Sequence, residues 1–368
     1  LLTVAADWRM TNKRTDLYYS DYLELQKLLT AQHPESAKRA NPAHEETLFI
    51  ITHQTYELWF KQILHELTSI LELFSSIPLQ NKALNTIIAR LERIVTIQRV
   101  VNQQIEILET MTPLDFLDFR DFLTPASGFQ SIQFREIELR LGLSVKLSRI
   151  GFGRFNQDDR DYLEKVSCQT SLFERVDAWL HRMPYVEFGK FNFWQSYRNA
   201  VDEMLDRDSA IIRNNPLLAP DEITHQLSAL ENTKLSFGYL FDKELYQEQQ
   251  DAGAFRLSQE ALLAALFIRL YRDEPLLQLP FRLMNCLMDI DHQLTAWRSG
   301  HMLMVHRMLG SKIGTGGSSG QDYLKSTISK KRIFSDLFNL STYLIPRSSL
   351  PDLPEDLKRN LGFHNQPM

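Results

Sequence analysis

Residues 281–320 read FRLMNCLMDIDHQLTAWRSGHMLMVHRMLGSKIGTGGSSG, a long amphipathic helix that runs into a glycine- and serine-rich loop. Leu294, Trp297, His301, Met304 and Met308 recur at alternating spacings of three and four, so they share one face of a helix. His301 therefore points where the apolar side chains point. His306, five residues on, is rotated about 140° away from it. On its own such an imidazole reads as a core side chain whose nitrogens are satisfied by neighbours, and periodicity makes it only a candidate ligand. The loop GTGGSSG fits neither nucleotide motif. It lacks the Lys-Ser/Thr ending of a P-loop, and Ser319 stands where GxGxxG needs its third glycine.

A second long helix begins at Glu45, EETLFIITHQTYELWFKQILHELTSILELF, and ends before Pro78. Its stripe is Phe49, His53, Tyr56, Phe60, Ile63 and Leu67, which sets a second histidine on an apolar face and leaves His44 on the polar side. Two such histidines on two long helices could flank a flat cofactor or hold a metal. Between the helices, residues 81–110 carry Leu84, Ile87, Leu91, Ile94, Val101, Ile105 and Leu108 inward and read simply as core. Thr112, Pro113 and Asp115 then mark a helix start, with Thr112 as cap and Asp115 closing the box. Phe116, Phe119, Phe122 and Phe129 follow, with Arg120 one turn past Phe116. An arginine among phenylalanines is costly to bury unless it meets an anion, either a protein carboxylate or a carboxylate ligand held by two parallel hydrogen bonds.

Gly142 closes that helix, and 143–200 is looser. The polar, Gln/Glu-rich segment 206–256 reads as a small helical excursion on the outside of a main body formed by 41–205 and 257–345. Ser258 caps a helix through Tyr271, and Pro275 and Pro280 break the chain. A last helix is expected in YLKSTISKKRIFSDLFNLSTYLIP, and the tail 346–368 wraps the surface. Residues 1–40 form an arm whose short helix YYSDYLELQKLLTAQ carries Tyr18, Tyr19, Tyr22, Leu25 and Leu28. Such an aromatic arm packs on its own domain or grips a neighbouring subunit. Strand signals are scarce and no repeat is evident, so the fold class is all-α.

The 368 residues allow about two to three domain-equivalents of core. A net charge of −5 offers no basic field for nucleic acid, and no lysine- or arginine-rich tract suggests a membrane surface. Two cysteines cannot build a disulfide framework, and no run of eighteen apolar residues or signal-peptide pattern occurs, so a cytoplasmic protein is expected. HExxH and CxxCH are absent, which argues against a zincin and a covalent c-type haem, and Gly316-Gly317-Ser318-Ser319-Gly320 has the spacing of GxSxG but follows an expected helix, where the nucleophile elbow of an α/β serine hydrolase follows a strand. A b-type haem with one axial imidazole remains compatible.

Four runs decide among these: LFIITHQTYELWFKQILHEL (48–67), ETMTPLDFLDFRDFLTPASGFQSIQFR (109–135), the 281–320 stretch, and DLFNLSTYLIPR (336–347). Together, and in this order, they resemble the tryptophan 2,3-dioxygenase family. The resemblance implies an all-helical haem dioxygenase fold that opens the indole C2–C3 bond of L-tryptophan with O2 to give N-formylkynurenine, the first step of the kynurenine pathway. It also implies haem b and a homotetramer in which each N-terminal arm completes a neighbour's active site. Carried over residue by residue, the resemblance makes His301, in Trp297-Arg298-Ser299-Gly300-His301, the axial ligand of the haem iron, and His53 the distal catalytic histidine. The substrate pocket takes in Phe49, Ile50, Ile51, Thr52, His53, Phe116 and Gly128, with Arg120 on the substrate carboxylate and Thr315 at its amino-acid end. Tyr19, Tyr22 and Leu23 would reach in from the next subunit. The readings left beside this one are a related haem enzyme inserting one oxygen atom into a substituted indole, and a non-catalytic haem-binding protein.

Overall fold

The computed structural model describes residues 17–39, 41–75, 81–143, 155–310 and 331–362. Its frame is three long helices laid side by side: Glu45–Ser75, Asn81–Gln103 and Gln278–Leu309. At 1.5 Å per residue the first and last are each close to about 47 Å long, enough to span the molecule. Their facing stripes, including Phe60, Ile63, Leu67, Ile87, Leu91, Ile94, Leu283, Leu287 and Ile290, form one continuous core. Gln259–Leu270 is buried almost all round and fills its centre, packed against Leu172–His181. An apolar helix with no polar face has nowhere else to go. The sole described sheet is a two-residue hairpin pairing Glu187 with Asn192 and Phe188 with Phe191, so the all-α expectation holds.

Local signals that act within one turn shape the helix ends as expected. Thr112 accepts from the Asp115 N–H, and the Asp115 carboxylate accepts from the Thr112 N–H, the reciprocal box expected at Pro113–Arg120. Gly142 ends Ile132–Leu141 with φ +110°, and a Cβ there would lie 2.5 Å from that of Phe173, so only glycine fits. Ser258 caps Gln259–Leu270 as anticipated.

Other expectations are corrected. Pro280 does not break the chain. It lies buried in the first turn of Gln278–Leu309, where a backbone N–H would have no intrahelical acceptor to lose. The arm segment forms two short turns, Tyr19–Tyr22 and Leu25–Leu29, parted by Glu24 at φ +52°. Of the expected final helix, 323–330 lie outside the described residues, and within 331–346 helix is confined to Ser335–Asn339 and a 3-10 turn, Leu340–Tyr343. Residues 331–334 are drawn out of helix because the buried Asp291 carboxylate accepts from the N–H groups of Ile333 and Phe334. Within the region expected to be looser, the described residues 155–200 contain the helices Gln157–Ser167 and Leu172–His181. In the segment read as an excursion, one helix, Phe193–Arg213, runs through the 205/206 boundary. Its first half buries Phe193, Tyr197, Val201 and Leu205, and it pairs with Pro220–Phe241.

Candidate active site

The Glu45–Ser75 and Gln278–Leu309 helices, with Pro113–Arg120 and the start of Ile132–Leu141, enclose a cavity of about 620 Å³. That lies within the range of sites for organic ligands, about 300–1,000 Å³. Both histidines picked out by helical spacing line it, as do Phe49, Ile50, Phe116, Arg120 and Gly128.

On the first wall, the rings of Phe49, Phe116 and Phe119 form a triangle with centroids 5.4–5.7 Å apart. Phe119 is fully buried behind the other two. The His53 ring lies 4.1 Å from that of Phe49, and its Nδ1 is 2.7 Å from the Phe49 carbonyl oxygen. A carbonyl only accepts, so Nδ1 carries the proton and Nε2 is left as an acceptor. Burial pushes the His53 pKa down, against smaller opposing effects of that carbonyl and Glu57, so the ring is neutral at pH 7. Arg120 ends its helix one turn past Phe116 and lines the same cavity.

On the second wall, His301 lies parallel to Trp297, with centroids 6.0 Å apart and planes at 22°, and Phe129 meets it edge-on. The surface His301 retains is cavity wall rather than protein exterior. Burial, with His53 adding to it, pulls its pKa down to about 4. A neutral imidazole facing a cavity is a competent donor to a metal. His306 is exposed, as its rotation required.

The deepest charge on this side was not legible beforehand. Glu138, fully buried, accepts from Arg298 at 2.9 Å and from Arg135, and lies 3.5 Å from the Lys331 ammonium. Burial pushes its carboxyl up, but Arg135, Arg298 and Lys331 outweigh that and hold it at about 2. Glu138, Arg135, Arg298 and Lys331 all line the cavity. Arg298 and Lys331 come from parts of the chain far from Glu138, which is why no spacing rule singles the group out.

Several residues carried over from the resemblance lie elsewhere. Ile51 is exposed and Thr52 is buried away from the cavity, because each step along a helix turns the side chain by about 100°. Tyr19, Tyr22 and Leu23 do not reach the cavity of their own chain and stand exposed, the two tyrosines at 75% and 70%. Thr315 and the GTGGSSG loop lie outside the described residues. The root of the arm is fixed: Gln54, adjacent to His53, donates to the Ala31 carbonyl and accepts from Gln32, while Glu46 accepts from the N–H groups of Glu35 and Ser36.

Comparison with known proteins bears on the whole chain. The family model described as tryptophan 2,3-dioxygenase matches residues 6–344. The chain is 49% identical to the tryptophan 2,3-dioxygenase of Alteromonas mediterranea, an alignment covering 95% of this chain and 98% of that one. It is 46% identical to the protein of that name from Dictyostelium discoideum, covering 94% and 88%. Identity to the mouse protein of that name is 44%, covering 92% and 84%. Shared identity at this level from end to end, on a helical frame that gathers the two histidines and the arginine into one cavity, leaves a single assignment: the chain belongs to the tryptophan 2,3-dioxygenase family.

Proposed function

We propose that this protein cleaves the indole C2–C3 bond of L-tryptophan with O2, giving N-formylkynurenine. The observation that carries the reading is one cavity lined by His53, His301 and Arg120, residues drawn from three helices. The cofactor proposed is haem b. Among the described residues no three His, Cys, Asp or Glu side chains gather as a metal cage. A haem needs one donor from the protein, and the neutral His301 on the cavity wall would hold it. When bound, the haem supplies the iron at which O2 reacts.

The remaining work falls to the chain. Tryptophan arrives as a zwitterion, and Arg120 can meet its carboxylate with two parallel charge-assisted hydrogen bonds. The Phe49, Phe116 and Phe119 group gives the indole an apolar seat and keeps water out. His53 presents Nε2 as an acceptor for the indole N–H, its orientation held by the bond from Nδ1 to the Phe49 carbonyl. Fixing both ends of the substrate holds C2 and C3 in one place, which lowers the entropic part of the barrier. Both atoms of O2 enter the product, so no reductant or second cofactor balances the reaction.

The arm is proposed to act between subunits of a homotetramer. Tyr18, Tyr19, Tyr22 and Leu29 are each at least two-thirds exposed, an apolar surface that a single chain leaves uncovered, and its root is tied beside His53. Thr315 is proposed to serve the amino-acid end of the substrate. No helix among the described residues is long and apolar enough to cross a membrane, and unpaired Cys168 and Cys286 support a reducing, cytoplasmic setting.

Reduced, haem-loaded protein mixed with L-tryptophan and labelled O2 tests the reaction. Two labelled oxygen atoms in N-formylkynurenine are expected. One labelled atom would move the protein to the mono-oxygen reading, and no absorbance rise from product would leave a haem-binding protein without this activity.

A further inference from the structure

The buried group around Glu138 has more positive charge than it can use internally. Arg135, Arg298 and Lys331 are 6%, 4% and 3% exposed, and the carboxylate they share is a single one. Asp291 lies near enough to feel Arg298, but it is engaged by the N–H groups of Ile333 and Phe334 and does not line the cavity. Counting it, the group still carries an excess cation among the described residues. A buried charge without a counter-charge costs several kcal/mol, so a fold that keeps one facing a cavity is built for an anion.

Two details give the direction. The Nε of Arg298 is buried and has no hydrogen-bond partner among the described residues, although its two terminal nitrogens donate to the Lys331 carbonyl and to Glu138. Arg298 also stands three residues before His301 on the same helix face, beside the donor assigned to the haem and apart from the aromatic seat next to Arg120. Burial pulls the Lys331 ammonium down to about 8 despite Glu138, so an additional anion would find that site short of negative charge.

Resting on the haem reading above, we propose that Glu138 assembles Arg298, Lys331 and Arg135 into a seat for a carboxylate of the porphyrin rim. Glu138 is a positioning residue here: an anion itself, it acts on a carboxylate through the three cations it holds in place. The amino-acid substrate offers the same chemistry, a carboxylate, and is distinguished by experiment.

The full-length protein freed of haem is titrated with iron protoporphyrin IX and, separately, with its dimethyl ester, following the Soret band and the quenching of protein fluorescence. The free acid is expected to bind at least tenfold more tightly than the ester, a comparison that needs no substitution and so no assumption about folding. Arg298→Leu and Lys331→Met should each weaken the acid and leave the ester nearly unchanged. Equal affinity for acid and ester in the unsubstituted protein, or equal weakening of both by Arg298→Leu, overturns the seat while the haem reading stands. Binding of neither form overturns the haem reading itself. In haem-loaded Arg298→Leu, the ratio of L-tryptophan to tryptamine affinity should match that of the unsubstituted protein. A selective loss for L-tryptophan would give the seat to the substrate and overturn the proposal.

Discussion

The two walls of the cavity each carry a neutral imidazole, made so by burial, but they are built differently. His53 is organised locally: its proton is placed by a carbonyl four residues back on its own helix, and its ring neighbours Phe49 and Tyr56 come from that helix, with Phe116 and Phe119 packed against Phe49. His301 is organised globally, with Trp297 from its own helix but a charge environment in which Glu138 meets Arg298 and Lys331 from distant parts of the chain. A fixed tautomer with a free acceptor suits recognition of a substrate N–H. An imidazole held among aromatic rings beside a cationic group suits retention of a cofactor.

Breaking the second wall should have the largest effect. His301→Ala is expected to abolish haem retention, seen as loss of the Soret band, while His306→Ala keeps it. A normal spectrum in His301→Ala would remove the distinction between the walls.

Phe119→Ala strikes the packing of the first wall. Removing a fully buried ring should cost about 3–5 kcal/mol in denaturant unfolding. A loss under about 1 kcal/mol would mean the aromatic triangle is not a rigid seat.

Arg120→Ala should weaken L-tryptophan by about 2–3 kcal/mol while leaving tryptamine, which lacks the carboxylate, little changed. Equal weakening of both would make Arg120 structural.

The smallest effect concerns protonation. Burial lowers the His53 pKa, so Nε2 remains an acceptor above pH 6.5 and is lost only as pH falls through the lower folded value. An acidic limb in kcat/KM below pH 6.5 is expected, flattened in His53→Ala along with a roughly tenfold lower plateau, the size of one hydrogen bond. A limb that persists in that variant belongs to another group.

This contrast also explains what could be read in advance. The Phe49–His53–Tyr56 and Trp297–His301–Met304 stripes, the Thr112 box and the Gly142 stop depend on residues within a turn of one another, and all are visible as spacing. Pro280 was misjudged because its effect depends on whether it falls in the first turn or later, a matter of one or two residues. The helix expected across 323–346 is shortened within the described residues, since Asp291 takes backbone donors 42 and 43 positions away. Glu138 carries no local mark at all, for its partners meet it only once the chain is folded. The roles of Thr315 and the arm tyrosines rest on resemblance, because one lies outside the described residues and the others face away from their own cavity.

The fastening of the arm has a consequence for mixed assemblies. Gln54 and Glu46 secure the arm's root to its own body, so the arm exchange proposed above would lend the arm without releasing it. Co-assembling a chain lacking Tyr19 and Tyr22 with one lacking His301 should then restore turnover in one direction only. The intact arm of the haem-less subunit serves the intact pocket of its armless neighbour, and the reverse pairing gives nothing.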